Sequence, residues 1–330
     1  MSREGGTRVA VLLCGYGEPE DHESFGDWNE LSLRLLVAKS IPLPERAIPW
    51  LTGKLERRVR EEWAAAGNFV SPHNRIFEAQ RAGIERALQA RHGDGVRVFK
   101  AYSFLSPFLP SVALGDIRAA GFDRLVLVPL MVVDSVYTSG IVVEQVNEAF
   151  ARDGSWLADK RYLPGFGARP EYHDLLAEHV AAGIEPLRDR YAASQIGIVL
   201  LDHGLPLSTK RGWETGYDES RLLYEAVRDR LSSRFPLVSI GWMNHPVPGR
   251  WTKPDMAAAA ENLLSLGAQA LVFAPVGFVT DNHETILDVD QVRRQVRGRA
   301  ETIRIDSLND DERFLGLAAG WIAPLIDELV

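Results

Sequence analysis

His203 stands in Leu201-Asp-His-Gly-Leu-Pro206, directly after an apolar run that reads as a buried strand. Gly204 and Pro206 shape a tight turn, which holds the imidazole at a strand tip. There it can accept a proton or bind a metal near neutral pH. It can equally cap the turn through hydrogen bonds, and the residues alone leave both readings open. A second constellation, Asp281-Asn-His-Glu284-Thr-Ile-Leu-Asp288, follows the apolar run ending at Pro275. On an α-helix, positions three and four apart share a face, so Asp281, Glu284 and Asp288 would form one acidic stripe. Carboxylates in a stripe repel one another unless a cation neutralises them. Such oxygen ligands suit a hydrated divalent metal in transit, and imidazole is a good partner for iron. The competing reading is a capping box, with Asp281 as N-cap and Glu284 reaching back, which leaves Asp288 as a surface charge. Tyr16, between two glycines in Cys14-Gly-Tyr-Gly-Glu-Pro19, either leans into a cleft or lies on the surface as a turn residue.

Several chemistries are excluded. Cys14 is the only cysteine, so no disulfide closes within the chain and no four-thiolate iron–sulfur cluster can be built. A reducing cytoplasm is the expected compartment. The net charge of −8 argues against nucleic acid, which demands a basic face. The sequence contains no dinucleotide or phosphate-binding glycine loop, no H-E-x-x-H, no G-x-S-x-G and no C-x-x-C pair. The N-terminal Met-Ser-Arg-Glu-Gly-Gly-Thr is polar, without a signal-peptide core, and no run of ~18 apolar residues predicts a membrane span.

The elements that must position these residues alternate along the chain. Short β-branched runs at Arg8–Cys14, Val96–Tyr102, Arg124–Leu130, Ile196–Leu201, Leu237–Trp242, Ala270–Pro275 and Thr302–Ile305 read as strands. Helical periodicity marks Asn74–Arg91, Glu171–Ala193, Glu219–Ser233, Asp255–Leu266, His283–Val296 and Asp310–Leu329. Near-continuous apolar strands separated by amphipathic helices predict an α/β, open, doubly wound fold with parallel sheets. The halves look alike: Val9-Ala-Val-Leu-Leu-Cys-Gly-Tyr-Gly-Glu-Pro19 has a counterpart in Ile196-Gly-Ile-Val-Leu-Leu-Asp-His-Gly-Leu-Pro206, and Leu125–Pro129 in Leu271–Pro275. Two related lobes follow, with the break in the Gly- and Pro-rich stretch Asp153–Pro170. Ligands of such sheets bind beyond the carboxyl ends of the strands, where Tyr16, Ser135, Thr138, His203, His245 and Glu284 all fall. A cleft between the lobes is therefore the expected site. Leu31–Leu55, apolar but broken by Pro42, Pro44 and Pro49, is either a lip over a flat hydrophobic ligand or a helix pair on the core.

Taken together these motifs resemble the ferrochelatase family over most of the chain, with this chain a divergent member. The resemblance is carried by His203-Gly-Leu-Pro206, Gly277-Phe-Val-Thr-Asp-Asn-His-Glu-Thr-Ile-Leu-Asp-Val-Asp290 and Tyr16-Gly-Glu-Pro19. Phe99-Lys-Ala-Tyr102, Thr138-Ser-Gly140, Trp251 with Pro254, and Ser71-Pro72 are similar to further family patterns. It implies Rossmann-like lobes at 1–165 and 166–308, with the helix of 309–330 returning to the first. It implies His203 and Glu284 as the catalytic pair and, with Asp288, as metal contacts. Tyr16, Ser135, Thr138, Ser139 and Trp251 are the implied porphyrin-binding residues.

The implied reaction is insertion of Fe²⁺, as substrate, into a porphyrin in heme biosynthesis, with no permanently bound cofactor. Coproporphyrin III and protoporphyrin IX are both candidates, and Tyr16 resembles the group acting on coproporphyrin. A cobalt or nickel chelatase of another tetrapyrrole, and a non-catalytic tetrapyrrole-binding paralogue, are the alternatives. A transient contact with a membrane or a product acceptor is a further expectation. The chain departs from the family pattern at Asn282, His283, Met243-Asn244, His245, Val132-Val-Asp134 and Thr215-Gly-Tyr-Asp218.

Overall fold

Strands apolar along their whole length need cover on both faces, and such strands take the centres of two sheets. A computed structural model describes residues 8–21, 25–40, 44–67, 69–207, 212–244 and 250–330; His245 lies outside them. The first sheet holds β1 (Val9–Gly15), β2 (Val96–Tyr102), β3 (Arg124–Pro129) and β4 (Asp159–Tyr162), all parallel, in the order β2-β1-β3-β4. The second holds β5 (Ile196–His203), β6 (Leu237–Met243), β7 (Ala270–Pro275) and β8 (Glu301–Arg304), in the order β6-β5-β7-β8. The α/β reading therefore stands, and the two orders are the same. In each, the first strand is central and its partners lie to either side, so the crevice where the winding reverses opens at its carboxyl end.

The repetition extends to register. Cys14 pairs with Pro129 as Leu201 pairs with Pro275, and Gly15 pairs with Tyr102 as Asp202 pairs with Trp242. Counting on by one residue, Tyr16 and His203 occupy equivalent positions just beyond these pairs.

Helices α1 (Phe25–Ser40), α2 (Ile48–Ala65), α3 (His73–His92), α4 (Pro110–Ala119) and α5 (Ser139–Asp153) accompany the first sheet. The second has α6 (Pro170–Arg188), α7 (Tyr217–Ser232), α8 (Met256–Ser265) and α9 (Val289–Gln295). The last helix is α10 (Glu312–Asp327). The chain divides into one compact unit of residues 1–165 and 310–330 and another of 166–309. Thus α10 belongs with the first sheet, packed on α3. Leu315 fills the space where a Cβ on Gly83 would stand, and Arg91 pairs with Asp327 at 2.8 Å.

Two expectations need correction, and one pair of alternatives is decided. The stretch Asp153–Pro170 contains a strand, β4, which the apolar pattern missed because Asp159-Lys-Arg-Tyr162 is polar. Charge suits an edge strand, where it discourages pairing with another chain. The segment Leu31–Leu55 resolves into α1, the short turn Glu45–Ala47 and α2, the helix-pair alternative, with Trp50 70% exposed on α2. The helix expected over His283–Val296 begins with a π turn, Glu284–Asp288. Among the described residues no helix is long and apolar enough to cross a membrane.

Replacing Gly83 by leucine would overpack the α3–α10 contact at a cost of about 1–3 kcal/mol. The expected result is a lower denaturation midpoint and faster proteolysis of the C-terminal segment. A midpoint equal to wild type would show that α10 does not depend on this contact.

Candidate active site

β5 is buried along its length until His203, whose side chain is 39% exposed. The His203 Nδ1 lies 2.8 Å from the carbonyl oxygen of Gly204. A carbonyl can only accept, so Nδ1 carries a proton and acts as the donor. Nε2 faces Glu284: Nε2 and Oε1 are 3.6 Å apart, with the carboxylate side chain only 10% exposed. A ring nitrogen and a carboxylate this close suit a proton or a cation between them. A metal ion or an abstracted proton would serve.

The backbone around the pair is tied down. Gly204 donates its amide to Met243 at 2.9 Å, while Leu205 and Thr252 exchange bonds of 3.1 Å (amide to Oγ1) and 3.0 Å (amide to carbonyl). Asn244 bonds the Thr252 carbonyl through Nδ2 at 2.9 Å. This gives the unusual Met243-Asn244 pair a role in bracing the histidine loop. Below His203, Asp202 accepts the His203 amide at 2.7 Å and is itself buried. A Cβ on Gly277 would collide with the Asp202 carboxylate, so glycine is needed there. Burial pushes the Asp202 carboxyl above its ordinary range, against the opposing pull of Ser220 and the His203 amide. No motif marks Asp202; the one signal in the sequence is an acid at the end of an otherwise apolar strand.

The acidic stripe is resolved differently from its α-helical expectation. Asp281 is a buried hub: Oδ1 accepts from Arg304 (2.9 Å), Thr285 Oγ1 (3.1 Å) and both the amide and hydroxyl of Ser307 (3.2 Å each), while Oδ2 accepts from Asn309 (2.9 Å). Its oxygens hold the turn to the segment after β8 and are not presented to a metal. The capping box exists one residue along, between Asn282 and Thr285: Asn282 donates its amide to Thr285 Oγ1 (3.0 Å), and Thr285 donates its amide to Asn282 Oδ1 (2.8 Å). Asn282 is thus a structural cap, and the Glu284 carboxylate faces His203. Asp288 closes the π turn and is half-buried. Among the described residues no group of three or more His, Cys, Asp or Glu is gathered that could hold a metal ion.

In the first unit, Tyr16 packs against Phe104 (ring centroids 4.5 Å apart) and Trp28 (6.2 Å). Its loop is clamped by Asn74, which accepts the Glu18 amide at 3.1 Å and donates to the Glu18 carbonyl at 2.7 Å. Gly17 adopts a left-handed φ of 81°, crowded against Tyr102, so a side chain is excluded there. Ser135 and Thr138 satisfy each other at 2.9 Å. The Thr138 hydroxyl reaches the Val133 carbonyl at 2.7 Å, and the Tyr137 amide bonds Ser135 Oγ at 3.1 Å. Ser139 is buried beside Tyr162. The Ser135 and Thr138 hydroxyls brace the turn after β3. Trp251 pairs with Pro206 in an isolated bridge, on the chain that continues from His203.

The family model for ferrochelatase matches residues 8–324. The chain belongs to the ferrochelatase family. Among its relatives, a ferrochelatase of Synechococcus elongatus is 27% identical over 316 residues, covering 93% of this chain and 80% of that one. One of Gloeobacter violaceus is 26% identical, covering 93% and 94%. Of solved structures, SirB from Bacillus subtilis with Fe³⁺ shares the fold at a TM-score of 0.55 and 8% identity, across 98% of this chain and 96% of that chain. The family match covers both sheets and both strand tips, including the His203–Glu284 pair.

Asp202 yields a stability prediction. Its folded pKa is raised, so its contribution is present below about pH 4, where the unfolded carboxyl is also protonated, and is lost as pH rises through the folded value. Asp202→Asn keeps an acceptor for the His203 amide and cannot ionise. The variant should melt close to wild type in acid and progressively above it toward neutral pH. A difference independent of pH would refute the buried-acid assignment.

Proposed function

We propose that this ferrochelatase-family chain inserts ferrous iron into a porphyrin, with His203 and Glu284 as its catalytic pair. The observation that carries the reading is the 3.6 Å approach of His203 Nε2, on a ring oriented by the Nδ1 bond to the Gly204 carbonyl, to the shielded Glu284 carboxylate. A free-base porphyrin must lose its pyrrole protons as the metal sheds water. Nε2 accepts a pyrrole proton, and the adjacent carboxylate stabilises the imidazolium that results. The same two atoms are suitable donors for Fe²⁺ as it arrives, imidazole nitrogen and carboxylate oxygen both being acceptable iron ligands. Asp288, at the far end of the π turn, is assigned as an outer carboxylate on the metal's approach. Tyr16 and Trp251 are assigned to the macrocycle.

Metallation is followed by absorbance after mixing the protein with porphyrin and Fe²⁺, Co²⁺, Ni²⁺ or Zn²⁺. His203→Ala is expected to lower turnover about 10²–10⁴-fold, the usual contribution of a general acid–base group, while leaving the melting temperature and porphyrin binding near wild type. Glu284→Gln, outside the capping box, should lose activity without losing stability. Normal turnover in both folded variants would remove the pair from the mechanism.

Tyr16 leads us to expect a higher kcat/KM for coproporphyrin than for protoporphyrin when the two compete, since that ratio defines preference. A preference for protoporphyrin that persists in Tyr16→Met would show that Tyr16 does not read the substrate.

A further inference from the structure

The second unit carries a cavity of about 550 Å³ lined by Leu207, Tyr217, Arg250, Trp251, Thr252 and Lys253. Its size lies within the range of small-molecule sites. Two features of the lining point to a ligand. Leu207 and Tyr217, 49% and 37% exposed, present apolar surface to it, and Tyr217 is backed by Trp242 in a stacked pair 5.9 Å apart. Arg250 and Lys253 are exposed, and neither has an ion pair among the described residues. The chain has 45 acidic against 37 basic residues, and most of its arginines are matched to carboxylates, so two unmatched cations at one aromatic-walled cavity suit an anion from outside. Flat apolar walls with a cationic rim fit a planar ring that bears carboxylates, with the guanidinium able to hold one of them through two bonds.

The cavity is built on the same backbone as the catalytic histidine. Leu207 donates its amide to Arg250 at 2.8 Å, and Pro206 bridges to Trp251. From His203 to Pro206 is three residues, which span at most about 11 Å. That is comparable with the reach from the centre of a tetrapyrrole to a carboxylate on its rim. We propose that Arg250 and Lys253, with Trp251 and Tyr217 as walls, form a subsite for a peripheral carboxylate of the tetrapyrrole. The inference rests on the chelatase reading and adds to it a determinant of which acidic tetrapyrroles are held.

The test is metal-free binding, read by porphyrin fluorescence, so it does not depend on turnover. Wild type and the Arg250→Ala/Lys253→Ala protein are titrated with coproporphyrin, which has four carboxylates, and with deuteroporphyrin, which has two. Both residues are exposed, so the double variant should fold as wild type does, which a melting curve confirms. The expected result is a loss of about fivefold to tenfold in coproporphyrin affinity, within the range for partly exposed charge-assisted contacts. The loss should be smaller for deuteroporphyrin and should shrink as salt screens the wild type. Lys253→Arg should retain the affinity. Equal affinities of wild type and double variant for coproporphyrin would overturn the subsite while leaving the chelatase reading intact. Displacement of the porphyrin by inorganic phosphate at similar concentration would show a general anion site and overturn it too. Failure of the wild type to bind any porphyrin would instead sink the chelatase reading itself, and the subsite with it.

Discussion

A histidine that donates Nδ1–H to the carbonyl of the next residue has its ring oriented by the backbone, and with it the direction in which Nε2 points. Here the donor bond is local, from His203 to Gly204, so the imidazole is oriented by the turn it sits in. The turn is fixed in its own right by pairing of Gly204 with Met243 and of Leu205 with Thr252. Glu284 arrives from a different strand connection, on a π turn held by the Asn282–Thr285 cap and the Asp281 hub, and faces Nε2 from there. A buried carboxylate is costly unless paired. His203 Nε2, 3.6 Å from the Glu284 carboxylate, is one group placed to offset that cost.

The two sheets show one solution used twice with different chemistry at the tip. In each, a strand buried throughout ends abruptly in a loop clamped by side chains from neighbouring elements. Asn74 grips the Glu18 backbone after β1, and Thr252 with Asn244 holds Leu205 after β5. The equivalent positions carry Tyr16 and His203. Tyr16 is wedged among aromatic rings, whereas His203 has Phe278 at 6.5 Å and a carboxylate in front of it. The repeated fold thus supplies position, and the residue at the tip supplies reactivity.

Much of this was legible without coordinates. The central strands announce themselves because burial on both faces demands uninterrupted apolar residues, and β2 and β7 run over the residues their pattern outlined. The pairing of Val9–Pro19 with Ile196–Pro206 survives as a shared strand order and register. His203 and Glu284 stood out because a histidine at a strand tip and a carboxylate after the next apolar run belong to different segments yet to one kind of chemistry.

The remainder depended on neighbours that sequence distance conceals. β4 is polar because an edge strand needs little apolar surface, so no local pattern marks it. Asp281, Glu284 and Asp288 share one helical spacing, yet they part company in the structure. Asp281 is claimed by Arg304 at the end of β8 and by Ser307 and Asn309 beyond it, and the turn that follows is a π turn. Ser135 and Thr138 are bonded to each other, a pairing that their sequence positions alone do not show. By itself the sequence determined the layered fold, its duplication and the residue types at the strand tips, because these follow from which side chains must leave water. Only the tertiary structure decided which polar groups remain available for chemistry, because a hydrogen bond or ion pair made across the fold removes a donor or acceptor from use.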